Sequence, residues 1–344
     1  MTSPPRRAYY NSSESTMSFV STVSVTVPAT TSNLGPGFDC LGAALTLYNQ
    51  FKFKRLDPAN EQLVGATPPG CPRITVTGAE QERVITDDSN LVYQSFLKLY
   101  QQLGQTPPSV EIEIELGVPL ARGLGSSATA ILGGLVGANQ LAGEPLDQIE
   151  VMKLAIAMEG HPDNDVPALL GGCRLAATGL INEPQQHREH PEEWEVCDIP
   201  WHPDIVPIVA IPDFELSTKQ ARGVLPADYS RADAIFNIAH LGLLLRGLET
   251  GRSDWLRASL QDRIHQPYRQ ALIPGYDAVQ KAANTAGAYG MVISGAGPTL
   301  LALADSASAE VVVAAMADAW KEQGITAQVR SLSLDTQGTK SLGL

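Results

Sequence analysis

The sequence predicts an α+β protein of two domains, and three observations carry that reading. Its 344 residues are long for one hydrophobic core and comfortable for two. Runs that alternate apolar and polar residues are interleaved with runs spaced for helices. The second half orders its elements as strand, helix, strand, strand, helix, strand, the order of a ferredoxin-like sandwich.

Residues 1–17 read as a disordered extension, because "MTSPPRRAYYNSSEST" is polar and lacks the apolar centre of a signal peptide; Met17 offers a second start. Residues 18–27, "SFVSTVSVTV", alternate and are rich in β-branched side chains, so a strand is expected there, ending at Pro28. Residues 45–56 and 73–78 are further strands by the same pattern. "SNLVYQSFLKLYQQLG" (89–104) opens on a serine able to cap a helix and closes on glycine. "VEIEIEL" (110–116) alternates as a half-buried strand does, and helices are expected from about Ser126 and over 146–160, the latter closed by Gly160. The stretch 181–203 is polar and proline-bearing and reads as a surface excursion. The domain boundary is placed there, giving one domain over 18–185 and another over 186–344. In the second domain, strands are expected at 205–211, 289–294, 299–304 and 325–333, with helices at 217–222, 230–249 and 307–323.

Composition narrows the function. A 44% hydrophobic content with 18% charged residues is ordinary for a globular protein. No run of 18 apolar residues exists, so no membrane span is expected. Four cysteines (Cys40, Cys71, Cys173, Cys197) are widely spaced, which argues against a disulfide scaffold or zinc site and for a reducing cytoplasm. A net charge of −13 with no Lys/Arg run argues against a nucleic-acid partner.

One loop breaks the acidic pattern. "PLARGLGSSATA" (119–130) carries two glycines and two serines, contains no acid, and opens a helix. A helix start exposes unbonded N–H groups at the positive end of its dipole. Gly123 and Gly125 let the backbone approach a ligand, and the hydroxyls of Ser126 and Ser127 can bond phosphate or coordinate magnesium. A plain helix N-cap is the alternative. A P-loop is excluded, because the chain has no Gly-Lys pair. The spacing of Gly123, Gly125 and Ala128 matches a dinucleotide fingerprint, but "GVPLAR" intervenes between strand and turn, against an oxidoreductase.

The segment 119–129 is similar to the ATP loop of the GHMP small-molecule kinases. "VPATTSNLGPGFDCLGAAL" (27–45) resembles that family's first motif and "VISGAGPTLLAL" (292–303) its third, in the same order. The resemblance implies a two-domain GHMP kinase fold, with an N-terminal domain like ribosomal protein S5, a C-terminal ferredoxin-like domain, and ATP between them. It assigns ATP contacts to Pro119, Leu120, Ala121, Arg122, Gly123, Leu124, Gly125, Ser126, Ser127, Ala128 and Thr129. It assigns Mg²⁺ to Ser127 and to Glu159, and it implies a homodimer.

"NLGPGFDCLG" and "EGHPDNDVPALLGG" (159–172) are similar to the branch of the family that phosphorylates L-homoserine on the route to threonine. By that resemblance Asn33 and Asp39 contact the amino acid, Asp39 through its ammonium group. Asn164 stands where several members keep a catalytic Asp, so transfer is expected to proceed without a strong protein base. Asp165 departs from the apolar residue expected after it. "STKQARGVLP" (217–226) and "HQPYRQALIPGY" (265–276) offer Thr218, Arg222 and Arg269 for the substrate carboxylate, and Gly295 of the third motif closes over the substrate. His161 is read as structural. The rival readings are a mevalonate- or sugar-type GHMP kinase and a GHMP-fold protein that binds ligand without catalysis.

Overall fold

A computed structural model describes residues 21–56, 72–179 and 193–343. The extension at 1–17, Cys71 and the first part of the excursion at 181–203 lie outside the described residues.

The first part of the chain forms β1 (Thr22–Ser32), β2 (Leu41–Arg55), β3 (Arg73–Gly78), α1 (Leu91–Leu103), β4 (Val110–Leu116), α2 (Ser126–Leu141), α3 (Gln148–Glu159), α4 (Pro162–Leu170), β5 (Cys173–Thr178) and β6 (Trp194–Ile199). There follow β7 (Ile205–Pro212), α5 (Thr218–Gly223), α6 (Arg231–Thr250), α7 (Ser253–Ser259), α8 (Gln266–Arg269) and α9 (Tyr276–Thr285). The chain closes with β8 (Gly290–Ile293), β9 (Leu300–Asp305), α10 (Ala309–Glu322), β10 (Ala327–Ser331) and β11 (Lys340–Gly343).

Among the described residues, seven strands make the first sheet, in the order β11-β1-β2-β4-β3, with β5 added to β2 and β6 to β5. β3 and β4 run parallel across the α1 connection. The second sheet has the order β10-β7-β9-β8, all antiparallel, which is the expected ferredoxin-like arrangement. The strand β4 has the expected bounds because its alternation matches its burial, with Val110, Ile112, Ile114 and Leu116 inward.

Three local expectations change. β1 does not end at Pro28 but continues to Ser32, and its register with β2 shifts between Pro28 and Ala29. Proline has no N–H for the ladder, and an irregularity there lets the strand pass. Asn90 rather than Ser89 caps α1, its side chain accepting from the Val92 and Tyr93 N–H groups, while Ser89 bonds to Asp87. The first sheet also takes β6 and β11 from beyond position 186, β11 pairing with Val23–Thr26 of β1.

β7 joins the layers. Its Val209 and Ile211 face a cluster that includes Ala29, Leu41 and Leu124 from the first sheet's side and Leu244 and Leu301 from the second. Its Ile208 and Ala210 face the opposite layer, with Ile293, Leu300, Met316 and Trp320. The two sheets share an apolar core, so groups at their junction are held by both.

Candidate active site

Backbone bonds bring the three motif segments to one place. The Thr30 N–H donates to the Leu124 carbonyl at 3.1 Å, Gly295 N–H to Ser32 at 3.1 Å, and Thr299 N–H to Arg122 at 3.2 Å. The Ser294 hydroxyl lies 2.9 Å from the Thr31 hydroxyl and 2.6 Å from the Gly123 carbonyl. A cleft of about 300 Å³ opens at this junction. Asn33, Asp39, Ser127, Glu159, Asn164 and Arg269 all line it, as do Thr218, Arg222 and Gly295.

The N-terminus of α2 faces the cleft without a side-chain cap and with no acid in its first turn. The N-cap is Gly125, so the serines do not cap. The Ser127 hydroxyl instead donates to Glu159 Oε2 at 2.7 Å. The first-turn N–H groups and the dipole are thus available to an anion. The glycines serve a purpose beyond ligand approach. A Cβ on Gly123 would lie 2.3 Å from the Ser294 carbonyl, and one on Gly125 2.0 Å from Thr30 Oγ1. Both have positive φ (74° and 68°), so each lets this loop seat against another motif.

Glu159 ends α3, and after Gly160 and His161 the chain enters α4 with Pro162 in its first turn. Pro167 has no N–H to give the Asp163 carbonyl. That carbonyl packs on Gly42, where a Cβ would come within 1.8 Å of it. This close seating fixes Asn164. Its Oδ1 accepts from Thr30 Oγ1 at 2.7 Å, and its Nδ2 donates to Ser32 Oγ at 3.1 Å and to Asp163 Oδ1 at 3.2 Å. His161 Nδ1 lies 2.5 Å from Asp163 Oδ1. Burial pushes the imidazole pKa down, but the Asp163 bond and the charges of Asp163, Asp39 and Glu159 outweigh it and raise it to about 9. His161 is therefore a cation in the cleft wall at neutral pH. Asp165 is fully buried, and neither carboxyl oxygen has a hydrogen-bond partner among the described residues. Burial first, and then the Glu159 charge, pushes its pKa well up.

At the other end, Asn33, Leu34 and Asp39 have positive φ (70°, 42° and 57°), a conformation L-residues resist. Asn33 holds this loop, accepting the Asp39 N–H at 2.9 Å and donating to the Gly295 carbonyl at 2.9 Å. Arg222 grips Asp39 with both terminal nitrogens, at 2.9 and 3.0 Å. Arg269 is 2% exposed, and its bonds go to the carbonyls of Ala221 and Gly295 and to His265 Nδ1, none to a carboxylate. Burial and then Arg222 push its pKa down.

Several loop residues lie elsewhere. Arg122 is buried and turned away, bonded to the Pro212, Leu120 and Asp213 carbonyls and paired with Glu80 and Glu215. Leu124 and Ala128 are core, and Thr129 is tied to Asn49 and the Ser126 carbonyl. Pro119 and Leu120 do not line the cleft, whereas Ala121 and Ser126 do. Sequence reasoning missed three participants. Asp163 sits beside Asn164 in the same motif. Phe38 lies 5.1 Å from the Arg269 guanidinium and 5.7 Å from that of Arg222. His265 stacks on Phe38 and is bonded to the Gly35 carbonyl at 2.9 Å. Burial lowers its pKa, so neutral His265 with its proton on Nε2 can donate to Gly35 and accept from Arg269.

Two sheets, a shared core and an uncapped helix start facing a polar cleft describe a small-molecule kinase of the GHMP type. The model for the GHMP kinase N-terminal domain matches residues 90–172, and that for the C-terminal domain residues 244–322. A homoserine kinase of Trichormus variabilis is 69% identical over 94% of this chain and 99% of its own length. One of Synechococcus is 55% identical over 92% of this chain and 97% of its own length. The crystal structure of homoserine kinase from Cytophaga hutchinsonii superimposes with a TM-score of 0.79 at 29% identity, covering 98% of this chain and all of that one. The chain belongs to the GHMP kinase family, and within it to the homoserine kinases. Mevalonate kinase from L. major, 14% identical with a TM-score of 0.63 over 90% of this chain and 94% of its own, shares the fold. No helix among the described residues is long and apolar enough to cross a membrane.

Proposed function

We infer that this chain transfers the γ-phosphoryl group of ATP to the hydroxyl of L-homoserine, giving ADP and O-phospho-L-homoserine, a step toward threonine. One observation carries the choice of substrate. A buried arginine with no carboxylate partner among the described residues, Arg269, lines the same cleft as the uncapped start of α2. Arginine suits a carboxylate because its fork can bond both oxygens.

The α2 N-terminus draws the phosphates through N–H groups and dipole. Asp39 takes the substrate ammonium, and Asn33 and Thr218 shape the loop and wall around it. The attacking hydroxyl oxygen forms a bond to the γ-phosphorus as the bond from that phosphorus to the β–γ bridging oxygen breaks. Asn164 has no useful basicity, so the proton leaves to solvent or phosphate oxygen, which a loose transition state tolerates. The His161 cation gives fixed charge to the cleft wall, and Asn164 is held rigid beside it by Thr30, Ser32 and Asp163. Ser127 and Glu159 offer two adjacent hard oxygen donors, which suit Mg²⁺. Ser127 and Glu159 would hold such an ion, which would supply neutralisation of phosphate charge.

An ADP-release assay across L-homoserine, mevalonate, galactose and serine tests the reading. Turnover led by L-homoserine supports it, and preference for any other alcohol refutes it.

A further inference from the structure

Asp39 and Arg222 face each other across the cleft with fork geometry, Nη1 to Oδ2 at 3.0 Å and Nη2 to Oδ1 at 2.9 Å. Their side chains are 33% and 39% exposed, so the pair stands where an incoming molecule meets it. Asp39 is fixed, because its own backbone is bonded to Asn33 on the strained loop. Arg222 sits in the last turn of a six-residue helix, with its guanidinium beside the Phe38 ring. Arg269 beside it has no carboxylate among its bonds. The three groups together carry one surplus positive charge.

We propose that Arg222 holds the position on Asp39 that the substrate ammonium takes, and that the substrate enters by exchange of ion pairs. This rests on the homoserine reading and adds how the site selects. The substrate ammonium takes Asp39, and the displaced Arg222 turns to the substrate carboxylate, which it shares with Arg269. A zwitterionic α-amino acid completes this exchange. An amino alcohol without a carboxylate breaks the pair and leaves two guanidinium groups unpaired. A hydroxy acid without an ammonium meets Arg269 and leaves the pair intact. The pair therefore acts as a gate against amines.

Calorimetric titration with L-homoserine, 3-amino-1-propanol and 4-hydroxybutyrate tests this. The unmodified protein is expected to bind 3-amino-1-propanol the most weakly of the three. Arg222→Gln should bind 3-amino-1-propanol more tightly than the unmodified protein, by about two- to fivefold, the scale of a partly exposed ion pair. The same variant should bind L-homoserine about tenfold or more weakly, the scale of a lost charge-assisted bond. An Arg222→Gln protein that weakens both compounds, or gains nothing for the amino alcohol, overturns the exchange. Asp39→Asn supplies the reciprocal test. It should bind 4-hydroxybutyrate at least as well as the unmodified protein while losing L-homoserine, and equal loss of both overturns the proposal even if Arg222→Gln fails to fold. L-Homoserine that does not bind the unmodified protein contradicts the substrate reading and the exchange together. L-Homoserine that binds and is phosphorylated, with no gain for the amino alcohol, contradicts the exchange alone.

Discussion

Asn33 and Arg269 donate to the same oxygen, the carbonyl of Gly295, at 2.9 and 3.0 Å. One residue comes from the first motif loop and the other from α8, and the shared acceptor belongs to the turn between β8 and β9. The substrate end of the cleft is thereby locked to the third motif.

Arg269→Leu removes both the carboxylate clamp and this lock. The KM for L-homoserine should rise by the equivalent of about 2–5 kcal/mol, while ATP affinity stays near normal. The melting temperature should also fall, since the Ala221 and Gly295 carbonyls lose a buried donor. Arg269→Lys keeps the charge without the fork and should fall between. Initial rates with each substrate varied, alongside thermal melts, check it. An unchanged KM for L-homoserine removes Arg269 from the site.

A side chain at position 125 meets Thr30 before it meets any ligand. Gly125→Ala should destabilise the protein and slow turnover, because displacing Thr30 breaks its 2.7 Å bond to Asn164. Left-handed backbone adds about 1–2 kcal/mol. Gly125→Val should be worse. Combining Gly125→Ala with Thr30→Ala should restore part of the stability and little of the rate. Additive losses in the double variant would mean that the Thr30 contact is not the cause.

His161 gives a pH dependence with a definite sign. Its folded pKa of about 9 lies above the ordinary 6.5, so its stabilising effect is complete below pH 6.5 and is lost as pH rises through 9. Thermal melts of the unmodified protein should fall across that window more steeply than those of His161→Asn. Parallel curves would show that the Asp163 bond does not hold the charge.

Asp165 has the opposite balance. Burying a carboxyl without a partner is costly, and the cost grows as pH rises above the unfolded value of 3.8 toward the raised folded one. Asp165→Asn should therefore raise the melting temperature at neutral pH, with a smaller gain at pH 4. A loss of stability at neutral pH would mean that the carboxyl has a partner the geometry does not reveal.

Local chemistry made some of this legible. The strict alternation of 110–116 fixed β4, and the glycine–serine run located the start of α2. What escaped depends on distant partners. β11 is a strand because β1 lies beside it, and nothing in "KSLG" announces that. Pro28 argued for an end to β1, and pairing with β2 overrode it. In the site, residue types with obvious chemistry were found, whereas Phe38 lies in a glycine-rich loop with no periodicity to mark it. Arg122 was expected among the ATP contacts of its loop, and its guanidinium instead clamps β7 and the turn after it. A guanidinium suits either use, and only its neighbours decide.

Phosphorus NMR of the full chain incubated with ATP, Mg²⁺ and L-homoserine addresses the central claim most directly. A phosphomonoester resonance that grows with ADP, one for one, and is absent without L-homoserine is the expected result. ADP with free phosphate and no ester, or an ester formed from mevalonate or a sugar but not from L-homoserine, would contradict it.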